Sequence, residues 1–162
     1  MTIAPALRRG AEEQARLDAA LVDLFQRRIT FNQTLGLQVA SVRAPEPRLR
    51  FAMQPGFVGH YQYGRLHGGV ISAALDVVGS LALMVGLGEK HAEESTEQVL
   101  HRFARIGTID LRVDYLRPGL GESFEASAEV TRLGGRIGST RMRLVNDQGS
   151  LIATGAAAYI VS

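Results

Sequence analysis

Apolar and polar positions change their period several times along this chain, and each change marks an element. Over residues 11–28, Leu17, Leu21, Leu24 and Phe25 recur at helical spacing. Glu12 and Glu13 open that stretch and Arg27 and Arg28 close it, the signs a helix dipole favours at each end. This predicts an amphipathic covering helix. From Leu37 the period shortens to two: beyond a Pro45-Glu46-Pro47 turn, Leu49, Phe51 and Met53 alternate with Arg48, Arg50 and Gln54, which predicts a β-hairpin. Residues 68–86 are apolar on every face of a helix about five turns long, so that helix is expected inside. After a polar stretch at 88–94, Ser95 and Gln98 form a capping-box signature for a short helix near 96–105, with Val99, Leu100 and Phe103 on one side.

The remainder reads as strands. Ile109, Leu111, Val113 and Tyr115 alternate with Asp110, Arg112 and Asp114, and Phe124, Ala126, Ala128 and Val130 alternate with Glu125, Ser127 and Glu129. Gly134-Gly135 predicts a turn, 136–145 a strand, Asn146 to Gly149 a second turn and 151–161 the last strand. One wholly apolar helix bracketed by antiparallel strands is covered on all faces only if the sheet wraps it. The expected class is therefore α+β: a curved antiparallel sheet rolled around one long central helix, with an N-terminal covering helix.

Composition narrows the function classes. A chain of 162 residues suits one domain, and 46% hydrophobic against 21% charged residues suits a packed core. The absence of Cys excludes disulfide frameworks, thiolate catalysis and Cys-ligated metals, and fits a reducing compartment. The longest apolar run, Val70 to Leu87, is interrupted by Asp76, so no membrane span is expected. At the N-terminus arginines follow the apolar residues instead of preceding a hydrophobic segment, so a signal peptide is not expected and a cytoplasmic location is. The pI of about 9.4 accompanies a net charge of only +2 and reflects arginine, since Lys90 is the lone lysine among 18 basic residues. Guanidinium groups suit phosphate or carboxylate ligands, although a genome rich in arginine codons would leave the same bias. No aromatic residues interleave with the Arg-rich strand, so nucleic acid is not an expected partner.

Two features carry candidate chemistry. Asp76 is the only ionisable residue between His67 and Glu89, midway along the apolar helix, where an unpaired buried carboxylate costs several kcal/mol. It either reaches solvent or an arginine, or is held at an interface or cleft for a purpose. His67-Gly68-Gly69 stands where that helix should begin; free N–H groups of a first turn suit an oxyanion or a polarised carbonyl, and glycine allows close approach. Taken alone, the tripeptide also serves as an ordinary turn and cap.

Together these residues are similar to those of hotdog-fold acyl-CoA thioesterases, the PaaI-like group and its YigI-type branch. The resemblance rests on Leu66-His67-Gly68-Gly69-Val70, then Leu75-Asp76, then residues 107–118 from Gly107 to Pro118, and it extends from Phe31-Asn32 and Leu35-Gly36 to the last strand. It divides the chain into a helical extension at 1–30 and a hotdog thioesterase domain at 31–162. It implies hydrolysis of acyl-CoA, of medium to long chain, with no metal or redox cofactor. Asp76 would be the catalytic carboxylate, as nucleophile or as general base. Gly68 would donate its N–H to the thioester carbonyl, His67 would shape the turn, and Thr108 would orient water. His60 stands where members commonly carry Asn and is included in the site. Gly69, Arg117, Pro118 and Arg136 are the expected substrate-binding positions, the arginines as partners for coenzyme A phosphates, with Arg132, Arg141 and Arg143 as further candidates. Met84, Phe57, Val99, Leu100 and Phe103 line an acyl channel or belong to the core.

Gly68 and Asp76 lie eight positions apart, about 12 Å along a helix. If both act on one thioester, they come from different protomers of a homodimer, which could pair again into a tetramer. A non-catalytic acyl-CoA-binding module and a hydratase or dehydratase on the same fold are the competing readings; the latter needs a His and a carboxylate on one acyl group.

Overall fold

A computed structural model describes residues 8–162; residues 1–7, the start of the expected extension, lie outside the described residues. Helix α1 (Ala11–Asp23) runs on through a π-helical turn (Leu24–Arg28) and is followed by the short α2 (Thr30–Thr34). The hairpin β1 (Gln38–Ser41) and β2 (Arg48–Ala52) precedes a second, small hairpin, β3 (Val58–His60) and β4 (Arg65–Leu66). Then come α3 (Gly68–Lys90), α4 (Thr96–Phe103) and four long strands: β5 (Gly107–Tyr115), β6 (Ser123–Leu133), β7 (Ile137–Asn146) and β8 (Leu151–Ile160). Six strands form one antiparallel sheet in the order β1-β2-β6-β7-β8-β5.

The sheet takes α3 into its concave side, the arrangement that the resemblance implies. Alternation along the strands decides which residues face the helix: Leu49 and Phe51 point inward while Arg48 and Arg50 point out, and Met142 and Leu144 point inward between outward Arg141 and Arg143. Leu75, Val78, Leu81, Leu83 and Met84 of α3 are fully buried, because the sheet covers one side and α1 and α4 cover its C-terminal half. Strand β8 turns Ala153, Gly155 and Ala157 toward the helix; these small residues let backbone and helix approach closely.

Several sequence expectations change. Helix α3 continues one turn beyond residue 86, and Arg9 secures this extra turn by donating to the carbonyls of Gly88, His91 and Glu94 at 3.0–3.2 Å. The capping box is present on Ser95 and Gln98, but Val99 is buried, Phe103 meets Phe25 edge-on at 5.5 Å, and Met84 and Phe57 are buried as well. These residues are core, not an open channel. By length and composition alone α3 is apolar enough to cross a membrane even with Asp76 in it. Its burial under the sheet and α1 is what makes it a core helix. The β3–β4 hairpin was not foreseen, since its strands are too short for a period-two signal.

Candidate active site

His67 is the N-cap of α3. Its extended backbone (φ −66°, ψ 136°) ends β4, its N–H donates to the Phe57 carbonyl at 2.8 Å, and its Nδ1 accepts the Gly69 N–H at 2.8 Å. The ring thus satisfies one donor of the first turn, with the imidazole proton assigned to Nε2. Val70 and Ile71 donate to the His67 carbonyl, and the Gly68 N–H, as the first of the helix, has no acceptor among the described residues. It is a donor at the positive end of a 23-residue helix, open to a ligand oxygen.

The Asp76 carboxylate emerges on the flank of α3 that the sheet leaves half-exposed, together with Val70, Ala73, Val77 and Ser80. There Thr108 Oγ1, at the start of β5, donates to Asp76 Oδ1 at 2.9 Å. Asp76 therefore avoids the cost of isolated burial by standing at the sheet edge, with a hydroxyl partner and, among the described residues, no arginine partner.

Two tyrosines that sequence reasoning missed tie the helix backbone at these same residues. Tyr115 donates to the Gly68 carbonyl at 3.1 Å and Tyr159 to the Asp76 carbonyl at 3.0 Å. Tyr159 is fully buried, and burial, then the nearby Asp76 charge, raises its phenol well above the ordinary tyrosine range, so it remains a donor. Gly79 makes its position available: a Cβ there would overlap the Tyr159 hydroxyl. In sequence, Tyr159 reads only as an inward-facing core position, and nothing local links it to residue 76.

The other expected residues divide. Pro118 and Arg117 follow β5 and lie near the start of α3, because Leu66 N–H donates to the Gly119 carbonyl at 2.9 Å. Arg136 precedes β7 at the opposite end of the β5–β8 ladder, where Gly107 and Ile137 both pair with Ile160. One chain therefore does not bring Arg117 and Arg136 together. Arg141 and Arg143 line an outer concavity of about 570 Å³ with Glu46, Asp114 and Glu129, on the face of the sheet turned away from α3. Neither Asp76 nor Gly68 is among its lining residues. The His60 ring packs on Tyr61 and Tyr63 and makes no hydrogen bond among the described residues. Neither His60 nor His67 stands within ion-pair distance of a carboxylate among the described residues, so one chain does not assemble from them the His and carboxylate pair of a hydratase. One His/Glu group, His91, Glu93 and Glu94, has metal-ligand proximity, but Arg102 already holds Glu94, with Nε donating at 2.8 Å, and lowers its pKa.

A family model described as the thioesterase superfamily matches residues 63–153, which include Gly68, Asp76 and Thr108. The chain belongs to the thioesterase superfamily. This thioesterase-superfamily protein is 38% identical over 139 residues to the medium/long-chain acyl-CoA thioesterase YigI of Escherichia coli K12, covering 86% of this chain and 90% of that protein. The YigI of Salmonella typhimurium gives the same identity and coverage. A crystal structure of a Shewanella oneidensis protein related to the thioesterase superfamily superposes with a TM-score of 0.87 at 36% identity, over 92% of this chain and 97% of that one. The fold of this superfamily member is thus the hotdog fold.

Proposed function

We propose that the protein hydrolyses medium- to long-chain acyl-CoA in the cytoplasm, as a dimer in which the Gly68 N–H of one protomer and the Asp76–Thr108 pair of the other act on one thioester. The observation that carries this reading is the half-exposed Asp76 carboxylate, bonded to Thr108 and sharing a helix with an unpaired N–H. The YigI relatives, named as medium/long-chain acyl-CoA thioesterases, support the substrate class.

A dimer follows from reach. Gly68 and Asp76 of one helix are about 12 Å apart, too far for one carbonyl group. Strand β5 ends the sheet, so one of its edges has no partner strand among the described residues, and Ile109, Tyr115 and Leu116 are about half exposed beside the flank of α3 that carries Asp76. A nine-residue edge of this kind is a ready template for pairing. Antiparallel pairing about a two-fold axis would bring each Gly68 toward the partner's Asp76 and bury both flanks.

In that unit the thioester oxygen accepts the Gly68 N–H, which stabilises negative charge as it develops on that oxygen. The carboxylate either takes a proton from attacking water or attacks the carbonyl carbon itself. The first route forms a C–O bond to water, breaks C–S, and returns the proton from Asp76 to the departing thiolate. The second forms a C–O bond from the carboxylate and breaks C–S, expelling the thiolate; water then cleaves the resulting anhydride to the free acid and the Asp76 carboxylate, and the proton released goes to the thiolate. Thr108 holds the carboxylate on one oxygen, and the other accepts no hydrogen bond among the described residues.

The test is thiol release from a panel of acyl-CoA esters of increasing chain length. Wild type should turn over the medium and long esters, and Asp76→Asn should lose about 10²-fold or more in kcat, as removal of a general base or nucleophile does. Saturable binding without turnover by wild type would establish the binding module instead.

A further inference from the structure

The β3–β4 hairpin, immediately before His67, carries a group of side chains outside the core that make no hydrogen bond to Asp76, Thr108 or Gly68. Tyr61 is 87% and Tyr63 57% exposed. The His60 ring lies 5.9 Å from Tyr61 and nearly parallel to it, and 4.8 Å from Tyr63. The Arg65 guanidinium stands 4.5 Å above the Tyr63 ring. Burial does not account for this arrangement, because large rings on a short two-stranded hairpin lower no free energy while they face water.

Unlike Arg48 and Arg50, which pair with Glu125, and Arg102, which pairs with Glu94, but like Arg117, Arg136 and Arg141, Arg65 has no carboxylate partner among the described residues. Its Nε–H is also buried without an acceptor. Aromatic faces beside an uncompensated guanidinium are the chemistry that receives a ring joined to an anion: stacking for the base, a forked donor for phosphate.

We infer that this hairpin is the subsite for the adenine and phosphate end of coenzyme A, with the base on Tyr61 and Tyr63 and phosphate on Arg65. The inference rests on the thioesterase reading above and extends the same site outward. Its position is suitable: Tyr63 is five residues before Gly68, at most about 17 Å of extended chain, within the reach of a pantetheine arm. The hairpin is held against the helix start, since a Cβ on Gly59 would lie 2.8 Å from His67 Cα, and Leu66 is bonded to Gly119, two residues beyond Arg117. Arg117 thereby adds a second guanidinium on the same side.

The experiment compares one acyl group carried on coenzyme A with the same group on pantetheine, which lacks the nucleotide. In wild type kcat/KM should be at least about fivefold higher for the coenzyme A ester, the lower end of what base stacking contributes. Tyr61→Ala with Tyr63→Ala should bring the ratio of the two kcat/KM values close to one, while the Tyr61→Phe, Tyr63→Phe double variant keeps it. Calorimetric binding of adenosine 3′,5′-bisphosphate should be present in wild type and lost in the Ala variant. An unchanged ratio and unchanged nucleotide binding in the Ala variant would overturn the assignment. So would loss of binding to phosphatidylglycerol vesicles with the ratio preserved, which would make the hairpin a membrane contact. If wild type hydrolyses neither ester, the thioesterase reading fails, and nucleotide binding alone decides the hairpin.

Discussion

The Tyr159 hydroxyl, buried on β8, donates to the main-chain carbonyl of Asp76 at 3.0 Å, so the residue that carries the carboxylate is anchored to the sheet through its backbone. Thr108 on the neighbouring strand β5 holds the side chain of the same residue, and Thr108 and Tyr159 are register partners. Two adjacent strands thus set both the height and the direction of one carboxylate.

Tyr159→Phe keeps the ring and removes the donor. We expect about 1 kcal/mol lost in urea denaturation, the ordinary net worth of one hydrogen bond, and a several-fold lower kcat with KM little changed. The raised phenol also fixes a pH signature. Because the folded pKa lies above the unfolded value of about 10, the stability it contributes is present below that value and is lost as pH rises through the folded pKa. The alkaline fall in stability should be shallower in Tyr159→Phe.

Gly79→Ala tests the packing behind that bond. Alanine would gain up to about 1 kcal/mol of helix propensity, but its Cβ would overlap the Tyr159 hydroxyl and lie 3.0 Å from Thr140 Oγ1, and overpacking typically costs about 1–3 kcal/mol. Net destabilisation is expected. Combining it with Tyr159→Phe removes the principal overlap, so a double-mutant cycle should show the pair costing less than the two single changes together. Strict additivity would mean that the two residues do not meet as described.

Opposite-protomer catalysis predicts a hybrid rescue. Gly68→Pro removes the N–H at the first helical position, where proline is tolerated, and the exposed Tyr115 ring has freedom to move aside. Mixed with Asp76→Asn, half of random dimers would contain one intact site out of two, restoring about a quarter of wild-type activity. No recovery in verified hybrids would place both groups in one chain.

Thr108→Val should lower kcat about tenfold and leave the fold intact, since Thr108 is exposed and its hydroxyl meets only the carboxylate, while Thr108→Ser retains most of the activity. Equal rates in the two variants would remove the hydroxyl from the mechanism.

Arg9 offers a stability test remote from the site. Its guanidinium satisfies three carbonyls around the end of α3, so Arg9→Met should cost about 2 kcal/mol in urea denaturation without altering KM.

Much of this protein is determined by its sequence alone, because period and capping act over a few residues. The strands alternate as Leu49 and Phe51 or Met142 and Leu144 dictate, Ser95 and Gln98 start α4, and an all-round apolar helix compels the sheet to wrap it. Asp76 and His67-Gly68 could be singled out for the same reason, as a lone charge in an apolar helix and a glycine pair at its start. The tertiary structure alone decided what surrounds them. Tyr159 and Thr108 reach Asp76 from strands 83 and 32 positions away, through register that no local pattern encodes. Arg117 and Arg136, similar in sequence, part to opposite ends of one ladder, and Val99 and Met84 become core. Side chains distant in sequence meet only when the sheet closes on the helix, and that closure depends on the whole chain packing at once.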